Sequence, residues 1–177
     1  MNDLAEKIEI RQATFDDLVL ISVLASTTFY EAYFEQDGSA NLARYIHESF
    51  ALDALTTEFQ DRKTTFLLVF VNGKAVGYAR LIEDSAIDGI ISPGSIELKR
   101  IYVLERYWGT GAGKALLEQC IGLASDRGSE SIWLGVWEEN RRAQAFYAKY
   151  DFRKVGTVTF PYGDVVGTNL VLELKLP

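Results

Sequence analysis

Residues 95–128 run SIELKRIYVLERYWGTGAGKALLEQCIGLASDRG. The opening, residues 95–104, is rich in β-branched and aromatic side chains, which predicts a strand. Residues 114–127 carry Leu116, Leu117, Cys120, Ile121 and Ala124 at helical spacing and close at Gly128, a helix with a glycine cap. Between them lies a loop with glycines at 109, 111 and 113. Such a loop leaves backbone N–H groups uncovered at a helix N-terminus, where the helix dipole favours an anion, so it predicts a phosphate cradle. A Walker A loop would need glycine at Trp108 and Ser or Thr at Ala115, which speaks against a nucleoside triphosphatase. The spacing Gly-x-Gly-x-x-Gly counted from Gly109 ends on Lys114, and no opening βαβ unit brings a ribose-binding acid, which speaks against a dinucleotide fold. Taken alone, a Gly-x-Gly reads better as a tight turn used only for packing.

Outward from this stretch the chain mixes helix and strand. Residues 64–71 and 74–82 flank Asn72-Gly73, the pair that accepts the positive φ values of a tight primed turn, and predict a hairpin. Upstream, residues 8–13 read as a short strand, and Thr14-x-x-Asp17 as a capping box before a helix over residues 18–34. The helix repeats Leu18, Ile21, Val23, Leu24, Phe29 and Ala32. Residues 39–61 predict one or two further helices, the second starting near Asp53. Residues 84–94 are a loop. Downstream come a strand at 131–137, a helix at 140–150, and strands at 152–160 and 165–176 around Pro161-Tyr162-Gly163-Asp164. The strand-loop-helix-strand unit predicts one parallel strand pair.

With 177 residues the expectation is one domain spanning 1–177. Apolar residues at 48% and charged residues at 24% match folded soluble proteins and speak against disorder. A net charge of −7 repels phosphate backbones and anionic lipid, so neither nucleic acid nor membrane is an expected partner. Cys120 and His47 are the only residues of their types, too few for a zinc or iron–sulfur site, and no metal is expected. The start, MNDLAEKIEIRQ, is charged where a signal peptide would be apolar, and no apolar run reaches about 18 residues. A cytoplasmic protein is expected.

The motif Arg106-x-x-Gly109-x-Gly111, after a strand and before a helix, resembles the acyl-CoA pyrophosphate loop of the GNAT superfamily of N-acetyltransferases. Residues 140–152, NRRAQAFYAKYDF, are similar to that family's Asn-x-x-Ala-x-x-Phe-Tyr-x-x-x-Gly-Phe segment, with Asp151 in the place of its glycine. Asp tolerates the left-handed conformation, so the turn is expected to survive. Arg11-Gln12-Ala13-Thr14-x-Asp16-Asp17 resembles the family's opening strand and turn. The resemblance implies an α+β domain: a twisted, mixed, mostly antiparallel sheet of six or seven strands, four or five helices, and a splayed parallel strand pair that binds the cofactor.

It also implies acetyl-CoA as cofactor and direct attack of an amine on the thioester. Gly109, Thr110, Gly111, Gly113 and Lys114 would hold the pyrophosphate, flanked by Arg106. Ile101, Tyr102 and Val103 would pair their backbone with the pantetheine arm, with an amide near Ile101 or Tyr102 as oxyanion donor. Asn140 and Phe146 would contact the cofactor, Tyr147 would protonate the leaving thiolate, and Glu97 would draw the amine proton, with Glu83 and Asp84 as rivals. The helical first third would shape the acceptor site through Tyr30, Tyr33 and Tyr45, with His47 a further candidate that reads equally as a surface or lid residue.

The spacing of Tyr30, Tyr33, Asn41, Tyr45 and Phe50, the Arg100-Ile101-Tyr102 strand and Phe160-x-x-Gly163-Asp164 are similar to bacterial spermidine/spermine N-acetyltransferases, although Val158 and Asn169 replace their histidine and aspartate. An acidic chain rich in aromatics suits a polycation. Another small amine, an amino acid or a protein N-terminus remains open as acceptor, as do a non-catalytic acetyl-CoA sensor and a homodimer. Cys120, on the apolar face of its helix, is expected in the core, and Trp108 as a cover over the glycine loop.

Overall fold

The Asn72-Gly73 turn sits between β2 (Thr64–Val71) and β3 (Lys74–Ile82), with φ of 51° at Asn72 and 77° at Gly73. Both values are the positive ones a primed turn requires. The molecule is described from a computed structural model over residues 6–162 and 165–177. Met1 to Ala5, at the charged start, and the Gly163-Asp164 pair lie outside the described residues.

The remaining elements are β1 (Ile8–Gln12), α1 (Leu18–Tyr33), α2 (Ser39–Phe50), α3 (Leu52–Gln60), β4 (Ile96–Val103), α4 (Ala112–Asp126), β5 (Ser131–Trp137), α5 (Arg141–Ala148), β6 (Arg153–Tyr162) and β7 (Val165–Lys175). Single 3-10 turns at Phe15–Asp17 and Glu105–Tyr107 lead toward α1 and α4. The seven strands hydrogen-bond in the order β1-β2-β3-β4-β5-β7-β6. β1 and β2, β5 and β7, and β6 and β7 pair antiparallel, while β4 and β5 pair parallel, so the fold is α+β with a mixed, mostly antiparallel sheet. The parallel ladder holds only Ile96↔Ile132 and Glu97↔Trp133, although both strands run on. Among the described residues no helix is long and apolar enough to cross a membrane.

The chain forms two compact units, one up to Arg80 with Arg100–Cys120, the other Leu81–Lys99 with Ile121–Pro177. In the first, β2 is buried along nearly its whole length, as its unbroken apolar run requires of a strand covered on both faces. Ile21, Leu24, Ala25 and Phe29 of α1, Leu42 and Phe50 of α2 and Leu55 of α3 complete its core. Val23, adjacent to Leu24 on the sequence pattern, turns outward at 58% exposure, since one residue rotates a helix by about 100°. The capping box forms as read: Asp17 accepts the Thr14 backbone N–H at 2.8 Å and binds the Arg11 guanidinium at 2.7 and 2.8 Å. α3 begins one residue earlier than expected, with Ala51 as cap and Asp53 in the first turn. Cys120 is fully buried, and burial pushes its thiol up to about 12.

In the second unit, Ile91, Trp133 and Val171 form a core against which Ile87, Ile90 and Val158 pack. A side chain at Gly156 would press to 2.9 Å from Ile90, at the β6–β7 register shift between Lys154 and Gly156, so the 84–94 loop crosses β6 where a glycine makes room. The buried Ser131 hydroxyl donates to the Glu173 carboxylate at 2.7 Å and pairs with Ser95 at 2.8 Å, tying together the starts of β4 and β5 and the end of β7.

Candidate functional site

The glycine loop closes on itself before α4 begins. Trp108 N–H donates to Glu105, the Thr110 hydroxyl donates to the Tyr107 carbonyl at 2.8 Å, and Ala115 N–H reaches Gly111 as the first full turn of α4. Gly109 and Gly111 take φ of 81° and 95°, which side chains rarely adopt. A Cβ at Gly109 would meet nothing within 4 Å, and one at Gly111 would touch only the tip of Ile8 at 3.5 Å. The loop therefore presents bare backbone, and the opening N–H groups of a 15-residue helix, which have no carbonyl a turn behind them, follow directly. A diphosphate fits this backbone by charge and by space. Arg106 is exposed beside it, and the exposed Lys114 side chain lies 3.9 Å from Glu118. Trp108 is partly exposed and donates its indole N–H to the Val103 carbonyl at 2.8 Å, bracing the end of β4.

Along β4 the backbone alternates. Leu104 N–H donates to the Val76 carbonyl of β3, so two residues back Tyr102 also turns its backbone toward β3, while Ile101 and Val103 turn theirs away. Ile101, Tyr102 and Val103 thus do not act alike: Ile101 and Val103 offer outward backbone, and Tyr102 contributes its side chain. Gly77 is required where β3 meets this strand, because a Cβ there would collide with the Tyr102 carbonyl and lie 2.9 Å from Val103 Cγ2.

The side chain of Tyr102 belongs to a cluster in the first unit that the sequence reading caught only in part. Its ring stacks on Tyr78 of β3 at 6.2 Å between centroids, and its hydroxyl is hydrogen-bonded to that of Tyr33. Burial raises the phenol pKa of Tyr33, Tyr78 and Tyr102 alike, keeping them protonated donors. Two residues further along each strand, Arg80 and Arg100 both bind Glu58 of α3. Arg100 does so through two bonds of 2.7 and 2.9 Å and Arg80 through one of 2.6 Å. Arg100 also lies 5.0 Å over the Phe50 ring. Tyr45 stacks on Phe29 at 4.5 Å and meets Phe50 at 6.0 Å, so Tyr33 and Tyr45 are brought together through Phe29. Tyr30 instead reaches Ser39 at 3.3 Å, and His47 is exposed in the last turn of α2. Glu58, Tyr78 and Arg80 went unread; the only signal for the strand pair was the two-residue period that puts Tyr78 and Arg80 on one face of a predicted strand.

In the second unit Glu97 is 8% exposed. Its carboxylate accepts the Ser85 hydroxyl at 3.0 Å and the Lys99 ammonium at 3.1 Å, and the Trp133 indole donates to the Ser85 carbonyl at 2.9 Å. Glu83 is ion-paired with Arg127, and Asp84 takes a φ of 50° as a turn residue. At α5, Asn140 is the N-cap: its side-chain oxygen accepts the Ala143 N–H at 3.0 Å. Tyr147 is buried, with its ring 5.4 Å from Phe146 and 5.6 Å from Phe152, while Phe146 is partly exposed.

Comparison with known proteins agrees with this reading of the fold. Residues 25–152 match the acetyltransferase (GNAT) family. The chain is 28% identical over 173 residues to an uncharacterized N-acetyltransferase of Lactobacillus delbrueckii subsp. lactis, covering 96% of this chain and 98% of the relative. It is 33% identical over 143 residues to an uncharacterized N-acetyltransferase of Mycobacterium bovis, covering 81% and 87%. Among solved structures it resembles the PaiA N-acetyltransferase of Thermoplasma acidophilum in complex with coenzyme A, with a TM-score of 0.78 at 21% identity, covering 96% and 99%. It also resembles the ribosomal-protein-S18-alanine N-acetyltransferase of Escherichia coli, with a TM-score of 0.70 at 19% identity, covering 96% and 94%. At these identities the structural likeness is one of fold. The chain belongs to the acetyltransferase (GNAT) family. It is accordingly an N-acetyltransferase that draws on acetyl-CoA.

Proposed function

We propose that this chain, working as one acyltransferase domain, moves the acetyl group onto a primary amine by direct attack, without an acyl-enzyme. The observation that carries the reading is the bare backbone from Gly109 to Lys114 at the start of α4. Acetyl-CoA, when bound, supplies an activated thioester. The amides of Gly111, Gly113 and Lys114 hold its diphosphate with Arg106 beside them, and Thr110, its hydroxyl spent on Tyr107, shapes the loop together with Gly109. Ile101 and Val103 offer outward backbone to an extended arm, and the Val103 carbonyl is already taken by Trp108, which leaves Ile101 as the residue with both groups to give.

Glu97, oriented by its bonds from Lys99 and Ser85, draws the amine proton. Tyr147 gives its phenol proton to the departing thiolate, and Phe146 packs beside the cofactor. Asn140, with its oxygen engaged in capping α5, has its amide N–H₂ group for the cofactor. For the acceptor, the net charge of −7 supports a polyamine such as spermidine. The Arg80 and Arg100 guanidiniums sharing one carboxylate weigh the other way.

Titration calorimetry of acetyl-CoA and ATP, followed by thiol release against a panel of amines, tests the reading. Acetyl-CoA binding with amine-dependent release of CoA is the expected result. ATP binding in place of acetyl-CoA would return the glycine loop to a nucleotide site.

A further inference from the structure

The cluster around Arg100 is built unlike a polycation site. Tyr78 and Arg80 on β3, and Arg100 and Tyr102 on β4, share one face of the sheet by the two-residue period of a strand. Glu58 is the one carboxylate shared by both guanidiniums, and all three charged side chains are 11–17% exposed. Both guanidiniums meet on that carboxylate in a place largely removed from water, where charge is costly unless it is paired. At the floor of the cluster Tyr78 is fully buried, and its hydroxyl has no hydrogen-bond partner. Arg100, Glu58, Tyr45 and Arg80 are the polar groups around it. A buried donor left unmade is costly, and it asks for an acceptor. Tyr45, Arg100 and Tyr102 are half-buried, so the cluster reaches the surface along that rim. Beside the Glu58 carboxylate, an entering ammonium would meet two guanidiniums, and an entering carboxylate two guanidiniums and a phenol O–H, which leaves the balance of charge with the anion.

We propose that Arg100 and Tyr78, with Arg80 and Glu58 behind them, bind a carboxylate of the acceptor, so that the amine this enzyme acetylates belongs to an amino acid and not to a bare polyamine. The inference rests on the transferase reading above and names its substrate class. Arginine suits the role because it stays charged and carries five N–H donors, of which Glu58 takes two from Arg100. The Phe50 ring lies 5.0 Å from that guanidinium.

The test uses matched acceptors that differ only by the carboxylate: lysine against cadaverine, and ornithine against putrescine, each in the thiol-release assay, with acetyl-CoA binding measured by calorimetry on the same preparations. The expected result is a kcat/KM at least about tenfold higher for each amino acid, the scale of one hydrogen bond to a charged group. Valerate, an amine-free carboxylate, should inhibit the wild-type protein competitively against lysine. Tyr78→Phe, which removes only an oxygen, should shrink the lysine-to-cadaverine ratio about tenfold by raising the KM for lysine. A protein that binds acetyl-CoA yet acetylates cadaverine as well as lysine, or neither, overturns this inference and leaves the cofactor reading standing. A protein that does not bind acetyl-CoA overturns both.

Discussion

Asp151 carries a φ of 62° at the place where the family segment has glycine, and the turn is kept because a short polar side chain tolerates the left-handed region. Asp17 works through charge. The Arg11 hydrogen bond, with help from Thr14, holds its carboxyl well below the usual carboxylate range against the opposing effect of burial. A folded-state value below the unfolded one means that the contribution is complete above about pH 4 and is lost as the pH falls from there. Asp17→Asn should therefore cost about 1 kcal/mol at neutral pH in chemical denaturation, with the gap to wild type closing in acid. Two substitutions test the proposed chemistry. Tyr147→Phe should lower kcat more than acetyl-CoA affinity, and an unchanged kcat would remove it as the acid. Glu97→Gln should slow the reaction chiefly below the pH at which the amine loses its own proton, read as a shifted limb of the kcat/KM profile; a uniform loss across pH would make Glu97 structural.

Elements follow the sequence closely where the signal is local. The 64–82 hairpin and β5 fall where their patterns put them, because Asn-Gly and a short β-branched, aromatic run act on their own neighbours. Ends are less legible. α4 starts at Ala112, two residues before the first residue read as helical, since Gly111 already accepts the first turn's hydrogen bond. Gly111→Ala should cost about 1–2 kcal/mol in stability through its positive φ, and should weaken acetyl-CoA binding in calorimetry. β3, β4 and α3 meet at Glu58, and Glu58→Gln should destabilise the protein by about 3 kcal/mol by leaving two guanidiniums without their carboxylate. A change within about 0.5 kcal/mol would mean that the pairs are worth no more than surface ones.

For the whole molecule, a ligand that binds only the folded chain raises its stability by mass action. Acetyl-CoA at about a hundred times its Kd should add about 2.7 kcal/mol, a rise of roughly 5–10 °C in Tm by calorimetry. No shift would count against the cofactor reading. The sequence by itself determined the mix of helix and strand, the parallel pair joined through a glycine loop and a helix, and the residues of that loop, because each is written in a contiguous pattern of period, turn chemistry and glycine spacing. The tertiary structure alone decided which side chains share a surface. Glu58, Tyr78, Arg80 and Arg100 come from three elements spread over 43 residues, counting from Glu58 to Arg100. No local pattern joins a helix carboxylate to two arginines on neighbouring strands; only the pairing of β3 with β4 and the packing of α3 across them does so. Ile101 and Tyr102 divide between backbone and side-chain roles for the same reason, since the edge a residue's backbone faces depends on the neighbour with which its strand pairs.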